Sequence, residues 1–79
     1  MLRLYNIDNC GYCAMVRQVL DQLNLEYEKV DVPWPHSERK EVFEVSGQYM
    51  VPVLVDGDQV LDDEYQIIDH LKRTYPVNS

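Results

Sequence analysis

Between residues 2 and 24 the apolar pattern changes its period once, and that change restricts the possible folds more than any other feature of the chain. Leu2-Arg3-Leu4-Tyr5 alternates apolar and polar residues as a half-buried strand does, then runs into the loop formers Asn6, Asp8, Asn9 and Gly11. From Cys13 to Asn24 the apolar residues Val16, Val19, Leu20 and Leu23 fall at helical spacing. Tyr27, Val30 and Val32 then mark a second strand, stopped by Pro33-Trp34-Pro35 because proline lacks a donor and biases its predecessor to extended geometry. Strand, helix and strand in succession make a parallel pair joined by a helical crossover.

The second half carries equally local signals. Ser37 is placed to cap a helix bearing Val42, Phe43 and Val45 and ended by Gly47. Val53-Leu54-Val55 and Gln59-Val60-Leu61 flank Asp56-Gly57-Asp58, which predicts a hairpin. Asp63 stands three residues before Gln66 as a helix cap, followed by Ile67, Ile68, Leu71 and Tyr75 at helical spacing, with Lys72 and Arg73 near the negative end and Pro76 closing. The predicted order is β-α-β-α-β-β-α, an α/β chain whose last two strands are antiparallel. Tyr5, Tyr27, Phe43 and the Ile67-Ile68-Leu71 stripe are the expected core. Trp34 is expected as a plug over the sheet edge, and His36 and His70 as surface residues.

Seventy-nine residues set one small domain over positions 1–79, a size that buries only about 60–65% of its extended surface. Apolar runs such as Val53-Leu54-Val55 are far below the roughly 18 residues of a membrane span, so no membrane segment is expected. The N-terminus, Met1-Leu2-Arg3-Leu4-Tyr5, has neither the long apolar stretch of a secretory signal nor the basic character of a transit peptide, and a cytoplasmic location is expected. Fourteen acidic against seven basic residues give a net charge of −7. That charge repels phosphate backbones and anionic lipid, so nucleic acid is not an expected partner. The acidity reads as a solubilising surface, with salt adaptation or a basic partner as the sharper alternatives.

Both cysteines fall in Cys10-Gly11-Tyr12-Cys13, at the turn from the first strand into the first helix. In a reducing compartment a structural disulfide is disfavoured, and one spanning two residues would hardly restrict the unfolded chain. A helix start offers unpaired N–H groups and partial positive charge to the first sulfur, favouring its thiolate; the second, one turn on, is placed to attack a mixed disulfide. Zinc needs about four ligands, and only His36 and His70 add nitrogen donors, in no paired spacing, so no metal is expected. C-x-x-C beside a βαβ pattern therefore reads as a redox pair, with two packed thiols as the plain alternative.

The cysteine motif on its strand-to-helix turn, Val51-Pro52 opening the third strand and the acidic helix start after the hairpin resemble the glutaredoxins of the thioredoxin-fold superfamily over nearly the whole chain. The last third, from Val51-Pro52-Val53-Leu54 through Asp62-Asp63-Glu64 to Tyr75-Pro76, is equally similar to the N-terminal thiol-binding domain of glutathione transferases. The resemblance implies a thioredoxin fold: a four-stranded mixed sheet flanked by three helices. It implies that Cys10 is the nucleophile and Cys13 resolves. Pro52 is then cis, the Val51 backbone pairs with a bound thiol as an added strand would, Tyr12 flanks that thiol, and Asp63 and Glu64 meet its γ-glutamyl end.

Three positions depart from the family's pattern. Glu64 stands where transferases usually place serine, and its carboxylate repels the ligand's own. Asp8 lies where many glutaredoxins carry a basic residue, and Gly11 replaces a common proline. The implied activity is that of a monomeric dithiol–disulfide oxidoreductase acting on protein or small-molecule disulfides. No cofactor is tightly bound, and the electron donor is glutathione, another small thiol or a flavoprotein reductase. An iron–sulfur cluster carrier working as a cluster-bridged dimer, a property of some relatives lacking that proline, and a non-catalytic adapter are the alternatives.

Overall fold

The computed structural model describes residues 2–76. In chain order these form β1 (Leu2–Asn6), α1 (Gly11–Gln22), β2 (Tyr27–Asp31), a 3-10 turn (His36–Glu38), α2 (Lys40–Ser46), β3 (Val53–Asp56), β4 (Gln59–Leu61) and α3 (Glu64–Thr74). The sheet order is β2-β1-β3-β4. β1 pairs with β2 in parallel, with Leu2 opposite Tyr27, while β1–β3 and β3–β4 are antiparallel. The predicted order and mixed sheet are therefore present.

Strand alternation divides the core into two unequal parts. Leu2 and Leu4 of β1 and Leu54 of β3 point to one face, where Val16, Val19 and Leu20 of α1 and Ile67 and Leu71 of α3 cover them. Tyr5 and its cross-strand partner Val53 point to the other face, under Val42 of α2. Leu4, Leu20, Leu54, Ile67 and Leu71 have no exposed surface, and burial of each contributes on the order of 2 kcal/mol. Tyr27 is partly buried at the rim of the larger cluster. The Tyr5 hydroxyl donates to Glu41 Oε2 at 2.9 Å, so the ring is buried without stranding its polar end.

Several expectations need correction. Helix α1 starts two residues before Cys13 and ends at Gln22, because Asn24 takes the left-handed conformation at φ 54°. Ser37 does not cap α2: Glu38 and Arg39 donate backwards to the Pro35 and His36 carbonyls, making a 3-10 turn, and the helix begins after Arg39. Gly47 does end that helix, at φ 79°, donating to the Phe43 carbonyl at 2.8 Å. Phe43 is not core. It is 46% exposed and stacks on Tyr49 with ring centres 4.7 Å apart. In the hairpin the tight turn is Gly57-Asp58, between the paired residues Asp56 and Gln59, and only Gly57 of the two has positive φ, at 61°.

His70 is also more than a surface residue. Its Nε2 lies 2.9 Å from Asp56 Oδ2, which accepts a second hydrogen bond from the Tyr75 hydroxyl at 2.8 Å. These contacts pin the end of α3 to the hairpin. Partial burial pushes the Asp56 carboxyl upward, but the hydrogen bonds from His70 and Tyr75 outweigh it and hold the group below its ordinary value of 3.8. A depressed carboxylate contributes stability that is present above its unfolded value and lost as pH falls through the folded one. Asp56→Asn is therefore expected to cost about 1–2 kcal/mol near neutral pH. In thermal melts from pH 7 to pH 3, its gap from wild type should narrow as Asp56 protonates; a gap constant with pH would contradict the assignment.

Candidate active site

The β1–α1 turn places the two cysteines differently. Cys10 is the N-cap of α1, with extended backbone at φ −96° and ψ 121°, and its Sγ accepts from the Cys13 amide at 3.5 Å. The first sulfur thus occupies the seat that a serine or aspartate usually takes at a helix start, facing unpaired N–H groups. Cys10 is half-buried, whereas Cys13 is fully buried, and both are free thiols. Burial pushes the Cys13 thiol up to about 12, with the adjacent Cys10 sulfur adding to the rise, while the Ile7 backbone and the Arg17 charge work against it.

The turn itself is held by a polar network that the sequence reading missed. Asn6 is fully buried at the end of β1, donating from Nδ2 to Asp8 Oδ1 at 3.1 Å and to Asp31 Oδ1 at 3.0 Å. Its Oδ1 accepts from Arg17 Nη1. Arg17 also reaches the Ile7 and Asp8 carbonyls, each at 3.4 Å. Asp8 is 70% exposed at its side chain and lies 3.5 Å from Lys29 Nζ, so its carboxylate is already engaged by Asn6 and Lys29.

Two adjoining clefts open at the cysteine turn, and Cys10 lines the smaller of them. The smaller, about 160 Å³, is lined by Cys10 with Ile7, Tyr12, Trp34, Arg39 and Val51, among others. The larger, about 500 Å³, is lined by Tyr12, Gln48, Met50 and Val51 on one side and by Asp62, Asp63 and Glu64 on the other. Tyr12, Met50 and Val51 border both. Of the residues singled out from sequence, Cys10, Tyr12, Val51, Asp63 and Glu64 come together around these clefts. Cys13 lies behind Cys10, and Pro52, fully buried after a cis Val51–Pro52 peptide, lines neither cleft. Asp63 caps α3, accepting from the Gln66 amide at 3.1 Å.

Trp34 is a correction: it is 59% exposed and forms a wall of the Cys10 cleft rather than a plug over the sheet edge. Arg39, 4% exposed, was not anticipated at all. Its guanidinium donates to the carbonyls of Pro33 at 2.9 Å, Trp34 at 2.7 Å and Tyr49 at 2.9 Å, tying together the two loops that wall the Cys10 cleft. His36 is exposed as expected but also borders the small cleft. Among the described residues no group of three or more His, Cys, Asp or Glu side chains is arranged to hold a metal ion, and no helix is long and apolar enough to cross a membrane.

A strand-to-helix turn carrying two free cysteines, a cis-proline loop beside it and a four-stranded mixed sheet with three helices define the thioredoxin-fold class. Residues 4–79 match the family model for the glutathione S-transferase N-terminal domain, and the chain belongs to that family. Glutaredoxin 1 of Rickettsia typhi is 31% identical over 85 residues, covering 95% of this chain and 82% of that protein. An uncharacterized glutaredoxin-like 8.6 kDa protein in a rubredoxin operon of Clostridium pasteurianum is 29% identical, covering 90% of this chain and 96% of its own length. Glutathione transferase E6 from Drosophila melanogaster superposes with a TM-score of 0.87 at 32% identity, covering 95% of this chain and 35% of that one. The chain spans 34–35% of the length of the first transferases it matches. The glutaredoxin-like relatives support a thioredoxin-fold redox protein.

Proposed function

We propose that this chain is a small dithiol–disulfide oxidoreductase of glutaredoxin type, working in a reducing, cytoplasmic setting on protein or low-molecular-weight disulfides. The observation that carries the reading is the placement of the pair, with Cys10 at the helix start in an open cleft and Cys13 sealed one turn behind it. Cys10 attacks a substrate disulfide and keeps one half as a mixed disulfide; Cys13 then displaces that half and leaves an intramolecular bond. Tyr12 and the Val51 backbone flank the bound half, with Pro52 setting the course of the Val51 loop. Asp63 and Glu64 face the far end of the larger cleft.

The lining of the larger cleft supports a preference among electron donors. Glutathione carries two carboxylates, and the larger cleft presents Asp62, Asp63 and Glu64 with no basic side chain among the described residues that line it. Like charges at close range disfavour the complex, so glutathione is a weak donor here and another small thiol or a flavoprotein reductase the better one. The test supplies a small disulfide substrate with glutathione and its reductase, with a neutral dithiol, or with a thioredoxin-type flavoprotein reductase. Turnover is expected with at least one of the last two and weakly with glutathione. Glu64→Ser should raise the glutathione rate several-fold by removing one repulsive carboxylate, roughly 1 kcal/mol. Absence of turnover in every arm, with no intramolecular disulfide after oxidation, would overturn the function.

A further inference from the structure

Resolution of the mixed disulfide places a demand on Cys13 that the cleft does not meet. The step forms a bond between Cys13 Sγ and Cys10 Sγ and breaks the bond from Cys10 Sγ to the captured sulfur. The electron pair leaves with the captured sulfur, which takes up the proton that Cys13 gives away, so no outside oxidant or reductant enters. Cys13 is fully buried, and its surroundings resist the anion it must become. At 0% exposure this sulfur is closed off from solvent, so easing of that ionisation falls to the chain around it.

We propose that Arg17 is a positioning residue for this resolving step, holding the Asn6–Asp8 turn in place beside the cysteine pair. Arg17 lies one helical turn beyond Cys13 on α1, on the same side of the helix. Its two terminal nitrogens spread over three acceptors, Asn6 Oδ1, the Ile7 carbonyl and the Asp8 carbonyl. The Ile7 carbonyl also accepts from the Cys10 amide at 3.1 Å. Ile7 therefore relates to both cysteines through the two peptides it joins, its carbonyl accepting from the Cys10 amide and its own N–H side working to ease ionisation of Cys13. Asn6 fixes the other end of the clamp through Asp8 and Asp31. A forked guanidinium can serve these acceptors together, whereas an ammonium is a single point.

The inference rests on the dithiol cycle proposed above, and one experiment separates the two. An aromatic disulfide that releases a coloured thiolate reports capture by Cys10 as a first equivalent and displacement by Cys13 as a second. In wild type both phases are expected; absence of the second phase there would count against the dithiol function, not against Arg17 alone. In Arg17→Met the second phase should slow by about 10–100-fold, the scale of a misplaced reacting group, with the first phase changed far less. Arg17→Lys, the milder variant should Arg17→Met fold poorly, should remain slow in the second phase because it lacks the fork. A role in folding alone would lower the melting temperature and leave the ratio of the two rates unchanged. An unchanged ratio in a folded variant, or equal slowing of both phases, would overturn the proposal.

Discussion

Cys10→Ser is expected to reduce disulfide turnover by about 1,000-fold or more, since a serine hydroxyl at a helix start is no nucleophile toward sulfur. Cys13→Ser should behave differently, capturing substrate at Cys10 and holding it as a stable mixed disulfide that a mass measurement reads directly. The difference follows from the burial of the pair, with Cys10 half-exposed and Cys13 at 0% exposure. Alkylation of the native reduced protein should accordingly label Cys10 and spare Cys13 until the chain is unfolded. Equal turnover by wild type and Cys10→Ser, or alkylation of Cys13 ahead of Cys10, would refute the assignment of roles.

Arg39→Met carries the largest expected cost in stability. The guanidinium is 4% exposed and satisfies the carbonyls of Pro33, Trp34 and Tyr49 together. A thioether of similar length fills the space and serves none of them. A buried acceptor left without a donor costs about 1–3 kcal/mol, and water can replace part of that because Pro33, Trp34 and Tyr49 are themselves exposed. A net loss of about 2–4 kcal/mol is expected, lowering the melting temperature by about 10–25 °C in a chain this small. Emission from Trp34, the single tryptophan, should shift as its loop comes away from the 49–50 segment, and substrate capture should weaken with it. A melting temperature within about 3 °C of wild type would show that the clamp is dispensable.

The contrast between Cys10 and Arg39 shows where this fold can be read in its residues. The hairpin, the Asp63 cap and the stripes of α1 and α3 depend on neighbours a few positions apart, so their signals lie side by side in the chain. Leu4 and Tyr5 separate cleanly onto two faces because strand periodicity leaves no other choice. Phe43 misleads because Val42 already takes the inward position of α2, and adjacent helical residues cannot share a face. Arg39 and Arg17 bond chiefly to carbonyls, which every residue carries, so no sequence pattern announces their partners. Asp56 and His70 meet across fourteen positions only once α3 has docked on the hairpin. Trp34 is conspicuous between its prolines, but its place beside Cys10 depends on the bond its carbonyl takes from Arg39, which also holds Tyr49.

The unequal division of the core has a consequence for how bulky partners reach Cys10. Helix α2 spans seven residues and covers Tyr5 and Val53 with one fully buried side chain, Val42, whereas the opposite layer interlocks two longer helices. Local opening begins where fewest apolar atoms must be re-wetted. The α2 side, whose Trp34 and 48–50 segments Arg39 holds to each other, is therefore expected to open as one unit before the cysteine-bearing helix does. Under the proposed function, a folded protein presenting a recessed disulfide is expected to be admitted by opening of that side, with the β1–α1 turn left in place.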